Sequence, residues 1–400
     1  MNSIFFISSK AISLLVVFIC TALIAREVGP AEFGVFTELK VYISIVFIIS
    51  LFGNDAYIIS LINDNNDRKK VTTIILTRLI LFILLSIPIY CFYESKYFIA
   101  IFLMYFFQLL NLSFLTLNAS KGGRFFFLLN FIALCSTLLF GLFSKIYSFD
   151  LYLYFIPFFY FILFVTPYRL ILAAISDVSF SFFIQSLKSV FFDVWPLILS
   201  SFLVFFYTRI DFLLISHFLT PSELGIYSVA VQLSEPFSFV ISAYATSIIS
   251  DLSSVKNDRF KKSKFISQKL KFIHLFVLFL LSFYFLFGRF LIEMFFSSQY
   301  EGSFNLLLVL VFSKFFVFSN LFFSIVMVVE NNYFARLKRI FISMVFAVLI
   351  SLLLIPTYGL YGAAVGVVIS QFVAVTIVNA LSKDTRDYYN IFVRSILFWK

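Results

Sequence analysis

The sequence predicts an all-α polytopic membrane protein with twelve transmembrane helices, arranged as two parallel-repeat six-helix bundles around a central cavity. Three observations favour this fold class: an apolar composition, a succession of long apolar runs, and a motif that occurs twice. Hydrophobic residues make up 62% of the chain and charged residues only 12%, with a mean hydropathy of +1.05. A soluble domain could not bury so much apolar surface away from water. We therefore expect the chain to lie in a membrane.

The apolar runs define the predicted spans. A bilayer core of roughly 30 Å takes about 20 helical residues to cross, and twelve runs separated by short polar breaks meet this length. The first has bulky residues before Cys20, so we expect an uncleaved span rather than a signal peptide. The runs cover approximately Ile4–Ile24, Gly34–Ile62, Val71–Phe92, Tyr97–Leu117, Phe125–Tyr147, Leu151–Ala173, Trp195–His217, Gly225–Ser250, Phe272–Phe296, Phe304–Val329, Ile340–Ile355 and Tyr361–Leu381.

One motif, Pro-x-Glu-apolar-Gly-apolar-aromatic, begins at Pro30 and again at Pro221, an offset of 191 residues. Asn-Asp-Arg recurs at the same offset, at residues 66–68 and 257–259. Two landmarks in one register indicate a duplicated half. Because six predicted spans, an even number, precede the midpoint, the halves should be parallel repeats. The predicted domains are an N-terminal bundle (1–174), an amphipathic cytoplasmic linker (175–192), and a C-terminal bundle with a short cytoplasmic tail (193–400).

The second copy of the motif has the residues of a helix start. Thr220, Pro221 and Glu223 fall at the N-cap, N1 and N3 positions, where they predict a capping box. The glycine of each copy is expected to allow a sharp bend. An ordinary turn between two helices would use the same residues, so this alternative stays open. The candidate hinge residues of the repeat are Pro30, Gly34, Pro221 and Gly225.

The net charge of +10 is explained by membrane topology. With a cytoplasmic N-terminus, 22 of the 30 Lys and Arg residues fall on inside segments and 4 on outside ones. The positive-inside rule then predicts that both termini are cytoplasmic. Residues 251–271 carry seven basic side chains, which we expect to attract anionic membrane lipid. Nucleic acid is not an expected partner.

Four basic residues lie inside the predicted spans. A lipid-facing Lys or Arg near the bilayer centre costs about 2.5–3.5 kcal/mol on the insertion scale, so these side chains should face protein or a wet cavity. Arg209 and Glu235 lie at similar predicted depths on consecutive antiparallel spans, where they could pair. The guanidinium of Arg209 also suits phosphate, because it can bind two oxygens at once. The four residues are Lys40, Arg78, Arg209 and Lys314.

Two interpretations of these charges remain open. Structural pairing and snorkelling could account for all of them. Alternatively, a cavity between the halves has an excess of positive charge that attracts an anionic headgroup, while an acidic residue takes part in ion coupling. The ion-coupling candidates are Asp55, Asp211 and Glu235.

Several other functions lack their residues. No G-x-x-x-x-G-K-[ST] motif is present to bind nucleotide phosphates. His217 and His274 are too far apart to suggest a metal site, and the three cysteines lie in apolar runs without a disulfide or metal pattern. We therefore expect no metal, no cofactor and no enzymatic activity.

Three segments together resemble a known family. They are Ala25–Gly34 at the first hairpin, Tyr207–Asp211 followed by Gly225–Ala230 and Glu235, and Ile355–Ala364 before the last span. In this order they resemble the polysaccharide biosynthesis transporters, which are the Wzx-type O-antigen flippases of the multidrug, oligosaccharidyl-lipid and polysaccharide exporter superfamily. The resemblance covers nearly the whole chain.

The resemblance implies a flippase that moves undecaprenyl-diphosphate-linked oligosaccharide repeat units across the bacterial inner membrane by alternating access, coupled to an ion gradient. It carries roles in the substrate pathway or ion coupling to Arg26, Arg209, Asp211 and Glu235. Membrane lipid, and the polymerase and chain-length proteins of the same pathway, are the other implied partners. O-antigen or capsule as the product, and proton or sodium as the coupling ion, both stay open.

Two alternatives belong to other functional classes. A multidrug or cation exporter of the same fold predicts an acidic or aromatic cavity, in which the basic residues are dispensable. A membrane polymerase or ligase of lipid-linked sugars would need acceptor and donor bound outside the membrane. The short outer loops argue against this enzyme.

Overall fold

The computed structural model describes residues 2–51, 68–93, 96–117, 128–137, 153–165, 180–255, 258–330, 332–381 and 385–396, and these ranges contain helices and no strand. The helices are α1 (Asn2–Ser50), α2 (Arg68–Phe92), α3 (Phe98–Leu117), α4 (Leu128–Thr137), α5 (Phe155–Val165), α6 (Phe180–Phe218), α7 (Pro221–Ser234), α8 (Pro236–Ser247), α9 (Ile249–Val255), α10 (Arg259–Phe295), α11 (Ser303–Val329), α12 (Tyr333–Val375), α13 (Ile377–Leu381) and α14 (Arg386–Ile396). A 3₁₀ turn, Ser298–Tyr300, joins α10 to α11.

Within the described ranges, seven helical segments are long and apolar enough to cross a membrane. Two of them, Lys10–Ser50 and Tyr333–Leu381, contain 41 and 49 residues. At about 1.5 Å per residue each is roughly twice the thickness of a bilayer core. Each is interrupted by a glycine with positive φ, 76° at Gly29 and 58° at Gly359, and each is long enough for two spans. The all-helical, multi-span class is confirmed, and the count of twelve stays a prediction.

The chain forms two compact units. The first comprises Met1–Ile24 and Phe36–Phe205, and the second comprises Ala25–Val35 and Phe206–Lys400. The hairpin Ala25–Val35, which the sequence places in the N-terminal half, thus belongs to the second unit. Residues 180–192 of the predicted linker form the first part of α6, which continues without a break to Phe218. The predicted linker and domain bounds stay predictions.

Aromatic rings provide much of the packing inside the first unit. Phe82 on α2 stacks on Phe102 of α3 at 5.3 Å between ring centroids, and Phe107 of α3 meets Phe161 of α5 edge to face at 5.2 Å. Such pairs contribute about 0.5–1.5 kcal/mol beyond the burial of their area. In a membrane, burying an apolar side chain against protein gains little, because lipid tails are equally apolar. Contacts between rings can therefore help to hold the helices of this chain together, since it has 62 phenylalanines.

The second unit is built around a broken helix. Pro236 lacks an N–H, so the helix stops at Glu235 and restarts as α8. The hydroxyl of Tyr284 on α10 donates to the carbonyl oxygen of Leu233 at 2.5 Å, next to the break. This contact fixes the position of Glu235 at the C-terminal end of α7.

Candidate functional site

The start of α7 sets the depth of the site residues. The Thr220 hydroxyl accepts from the Glu223 backbone N–H at 3.3 Å, and Glu223 Oε2 accepts from the Thr220 N–H at 2.9 Å. The predicted capping box is therefore confirmed. Because α6 ends at Phe218 and α7 begins at Pro221, the two helices are joined tightly and residues equally far from the turn lie at the same depth.

Arg209 and Glu235 form a two-pronged ion pair inside the second unit. Nη1 of Arg209 lies 2.9 Å from Oε1 of Glu235, and Nη2 donates to Oε2 at 3.1 Å. The guanidinium carbon also lies 5.3 Å above the ring of Phe212. The side chains remain 29% and 43% exposed, so both are only partly buried. The predicted pairing of these two residues is confirmed.

Asp211 is held by the neighbouring helix and by its own backbone. Its Oδ2 accepts from the Tyr227 hydroxyl at 2.5 Å and its Oδ1 from the Phe212 N–H at 3.0 Å. Asp211 is 6% exposed and Tyr227 is fully buried. The contact ties α6 to α7 beside the ion pair. Sequence reasoning missed Tyr227, although Asp211 lies seven residues before the end of α6 and Tyr227 six residues after the start of α7, which puts the two at similar distances from the turn.

Lys314 on α11 completes the charged group. Its side chain is 8% exposed, and its ammonium lies within electrostatic range of Glu235, Arg209 and Asp211. The group holds two cations and two carboxylates, so its formal charge is zero. We call these four residues the charged group of the second unit.

The other predicted site residues lie elsewhere. Arg26 is exposed and donates from Nη1 to the carbonyl oxygen of Met294 at 3.0 Å, also in the second unit. In the first unit Arg78 is fully buried and its Nε donates to the Leu51 carbonyl at 3.1 Å, whereas Lys40 is half-buried. Asp55 lies outside the described residues.

The two copies of the repeated motif pack directly against each other. A Cβ placed on Gly34 would lie 1.7 Å from the carbonyl oxygen of Pro221, and one placed on Gly225 would lie 2.0 Å from that of Pro30. The bend expected at Gly34 occurs instead at Gly29, and both motif glycines lie within helix. Glycine is needed at both positions because a side chain would clash with the backbone of the other motif copy. A hinge role for the four motif residues stays a prediction.

A hydrogen-bonded shell surrounds this contact. The hydroxyl of Tyr300 donates to the Ala25 carbonyl at 2.7 Å, and the hydroxyl of Ser303 donates to the Ile226 carbonyl at 2.7 Å. Next to the Ser298–Tyr300 turn lies a cavity of about 200 Å³. Its lining includes Arg289, Glu293, Ser297, Glu301 and Phe304.

A family profile matches most of the chain. The profile is that of the polysaccharide biosynthesis proteins, and it matches residues 23–305. The chain belongs to the polysaccharide biosynthesis protein family. The family predicted from the three segments is thereby confirmed. This polysaccharide biosynthesis protein is 28% identical over 196 residues to the capsular polysaccharide biosynthesis protein CapF of Staphylococcus aureus, a match that spans 48% of this chain and about half, 49%, of the relative.

The fold of this family member is also that of solved transporters. The lipid II flippase MurJ, in an inward closed conformation, matches with a TM-score of 0.75 and 15% identity over 98% of this chain and 91% of its own. A multidrug resistance MATE family transporter of the MOP superfamily, in an inward-facing conformation, matches with a TM-score of 0.70 and 14% identity over 96% and 94%. At these identities the likeness is one of fold.

Proposed function

We propose that this polysaccharide biosynthesis protein is a flippase. It would move undecaprenyl-diphosphate-linked oligosaccharide repeat units, of O-antigen or capsule, from the cytoplasmic to the periplasmic leaflet of a bacterial inner membrane by alternating access. Both termini would be cytoplasmic. The family, a relative named for capsular polysaccharide and a fold shared with a lipid II flippase support this proposal. The observation that carries it is the accessible guanidinium of Arg209 in the charged group of the second unit.

The ion pair supplies an exchange mechanism. Glu235 contacts both terminal nitrogens, Nη1 and Nη2, of the Arg209 guanidinium, and a phosphate can present two oxygens in the same geometry. Phosphate and Glu235 therefore compete for Arg209. Lys314 places a second positive charge nearby, in surroundings where charges interact more strongly than in water.

The same competition can link transport to an ion. Protonation of Glu235 would remove its charge and release Arg209 to the diphosphate, so proton and substrate binding would depend on each other. Asp211, whose oxygens are already held by Tyr227 and Phe212, would act chiefly by aligning α6 with α7. Asp55 stays a candidate for coupling in the first unit. No bond of the substrate is made or broken in this process.

The test uses purified protein in vesicles that contain a fluorescent polyprenyl-diphosphate oligosaccharide. Arg209→Gln should abolish protein-dependent translocation. Arg209→Lys should retain part of it, because lysine keeps the positive charge but cannot bind two phosphate oxygens with two parallel N–H groups. Glu235→Gln should tighten the binding of inorganic pyrophosphate, because the internal competitor is gone. Arg289→Gln is the control, since it removes an exposed cation of the same unit that lies over Phe304. Unchanged translocation by Arg209→Gln would contradict the proposal.

Export of cationic compounds is a second candidate, favoured by the 43% exposure of the Glu235 side chain. In that case Glu235 is the residue that receives the cation. Glu235→Gln would then abolish transport of cationic dyes, whereas Arg209→Gln would improve it. The essential residue therefore differs between the two functions: Arg209 for the flippase, and Glu235 for the cation exporter.

A further inference from the structure

A cluster of buried polar groups lies in the second unit apart from the charged group. It contains four side-chain atoms that are buried and have no hydrogen-bond partner: Tyr207 Oη, Asn320 Oδ1, Arg336 Nε and Arg339 Nη1. The other arm of Arg339, Nη2, donates to the Asn320 carbonyl at 3.0 Å and to the Ser324 hydroxyl at 2.5 Å. Tyr207 and Arg336 lie within electrostatic range of Arg339. We call these four residues the Arg339 cluster.

The cluster has positive charge without an acidic partner in the part of the chain that the structure describes. Arg339 is only 4% exposed, and the groups it contacts are neutral. Arg336 adds a second cation one helical turn away. The nearby carboxylate of Glu330 is engaged by Lys262 at 2.9 Å and by the Tyr388 hydroxyl at 2.6 Å. A buried guanidinium with no counter-charge is costly, so its retention calls for an anion that binds there.

Three of the unpaired atoms are donors of the kind that binds phosphate oxygens. Arg339 Nη1 and Arg336 Nε are N–H donors, and the Tyr207 hydroxyl on α6 is a third donor. Charged donors bind phosphate oxygens with short, strong hydrogen bonds, and a guanidinium can bind two of them. Asn320 Oδ1 is an acceptor and would suit a protonated phosphate oxygen or a hydroxyl beside it.

The start of α12 offers a route to the cluster from the membrane surface. Tyr333 and Phe334 are 57% and 77% exposed at the first residues of the helix, where aromatic side chains commonly lie at the level of lipid headgroups. Arg336 is half-buried, and Arg339 is buried roughly 9 Å from the helix start, at about 1.5 Å per residue. Positive charge therefore leads from the headgroup layer into the unit.

We propose that the Arg339 cluster binds the phosphate group of a membrane lipid, at a second site separate from Arg209. Two lipids share this chemistry: a polyprenyl-diphosphate sugar and an anionic phospholipid. The first source rests on the proposed function, and the second does not. By the predicted topology the site faces the cytoplasmic leaflet, where a flippase would load its substrate.

Binding to purified protein tests the site without requiring transport. The probes are geranyl diphosphate and phosphatidylglycerol, and the readouts are the dissociation constant and the shift in melting temperature. Arg339→Met should weaken binding of at least one probe by about tenfold or more, as expected for the loss of a hydrogen bond to a charged group. Without ligand its melting temperature should equal or exceed that of the wild type, because an uncompensated charge is removed.

Lys338→Met is the matched control, because it removes the same charge from the neighbouring, exposed position. It should change either dissociation constant by less than about twofold, as a surface charge contributes little. Tyr207→Phe, which removes one hydroxyl and keeps the ring, should weaken binding less than Arg339→Met and serves as the test if the methionine variant does not fold. Equal losses in Arg339→Met and Lys338→Met, or none in Arg339→Met and Tyr207→Phe, would overturn the proposal.

The two probes distinguish the two lipid sources. Together with the Arg209 variant, they also distinguish failure of the proposed site from failure of the proposed flippase function. Weaker binding of geranyl diphosphate alone assigns the site to the sugar carrier, and weaker binding of phosphatidylglycerol alone assigns it to phospholipid. If the flippase function is wrong, Arg209→Gln will leave translocation intact while the Arg339 dependence of phosphatidylglycerol binding persists. If only the site is wrong, Arg209→Gln will still abolish translocation and Arg339→Met will bind both probes normally.

Discussion

Alanine at either motif glycine should destabilise the second unit. In Gly34→Ala the new Cβ would lie 1.7 Å from the Pro221 oxygen, and in Gly225→Ala it would lie 2.0 Å from the Pro30 oxygen. Ordinary contact needs at least 3.4 Å. The backbones must therefore separate by about 1.7 Å in the first variant and about 1.4 Å in the second.

The size of the destabilisation depends on which part of the structure must move to relieve the clash. Overpacking usually costs about 1–3 kcal/mol, and here the obstacle is backbone on both sides, which cannot rotate away as a side chain would. Alanine in a helix recovers about 0.5–1 kcal/mol relative to glycine. We expect a net loss of about 1–2 kcal/mol for each variant. The double variant should lose less than the sum, because separating the hairpins once relieves both contacts.

Melting temperatures in detergent measure these effects, and Gly366→Ala is the control. A Cβ on Gly366 would meet nothing closer than the Ser351 hydroxyl at 3.6 Å, so the helix preference of alanine should leave the melting temperature unchanged or raised. Translocation should fall in the two motif variants if the contact must form during the cycle. A Gly34→Ala or Gly225→Ala protein as stable as Gly366→Ala would refute the close approach.

Three further predictions concern the helices that hold the site. Thr220→Ala should cost about 0.5–2 kcal/mol through loss of the N-cap, whereas Thr220→Ser should retain it, as measured by melting temperature. Tyr284→Phe leaves the Leu233 carbonyl without its hydroxyl donor and should increase hydrogen exchange around the break at Pro236, with exchange in α14 as the internal reference. Burial and the hydrogen bond to Glu330 raise the pKa of the Tyr388 hydroxyl, so it stays a donor at neutral and mildly alkaline pH. Tyr388→Phe should therefore speed proteolysis of α14 across this pH range, and equal rates would contradict a role in docking.

The sequence predicted those parts of the site that depend on distance along a helix. Arg209 and Glu235 were matched because helical rise converts residue number into depth, and the ion pair follows from that depth. The capping box was also predictable, since its two hydrogen bonds depend on residues three positions apart. Such relations are local, so a single chain reveals them.

Tertiary contacts were not predictable in the same way. A glycine that serves a bend and a glycine that serves close backbone approach look identical in sequence, which is why the bend was placed at Gly34 rather than at Gly29. Arg339 was counted with the surface charges that set topology because it lies near a helix end. Lys338 does lie on that surface, but the next residue is turned by about 100° and is buried.

The reciprocal contact between the two motif copies bears on how the two predicted repeats could diverge. The backbone of each copy contacts the glycine of the other, so a larger residue at either glycine would clash with the other copy's backbone. The two stretches are thereby kept alike while the remainder of each half is free to change. The predicted repeat is thus clearest in sequence at a place where its two copies are in contact.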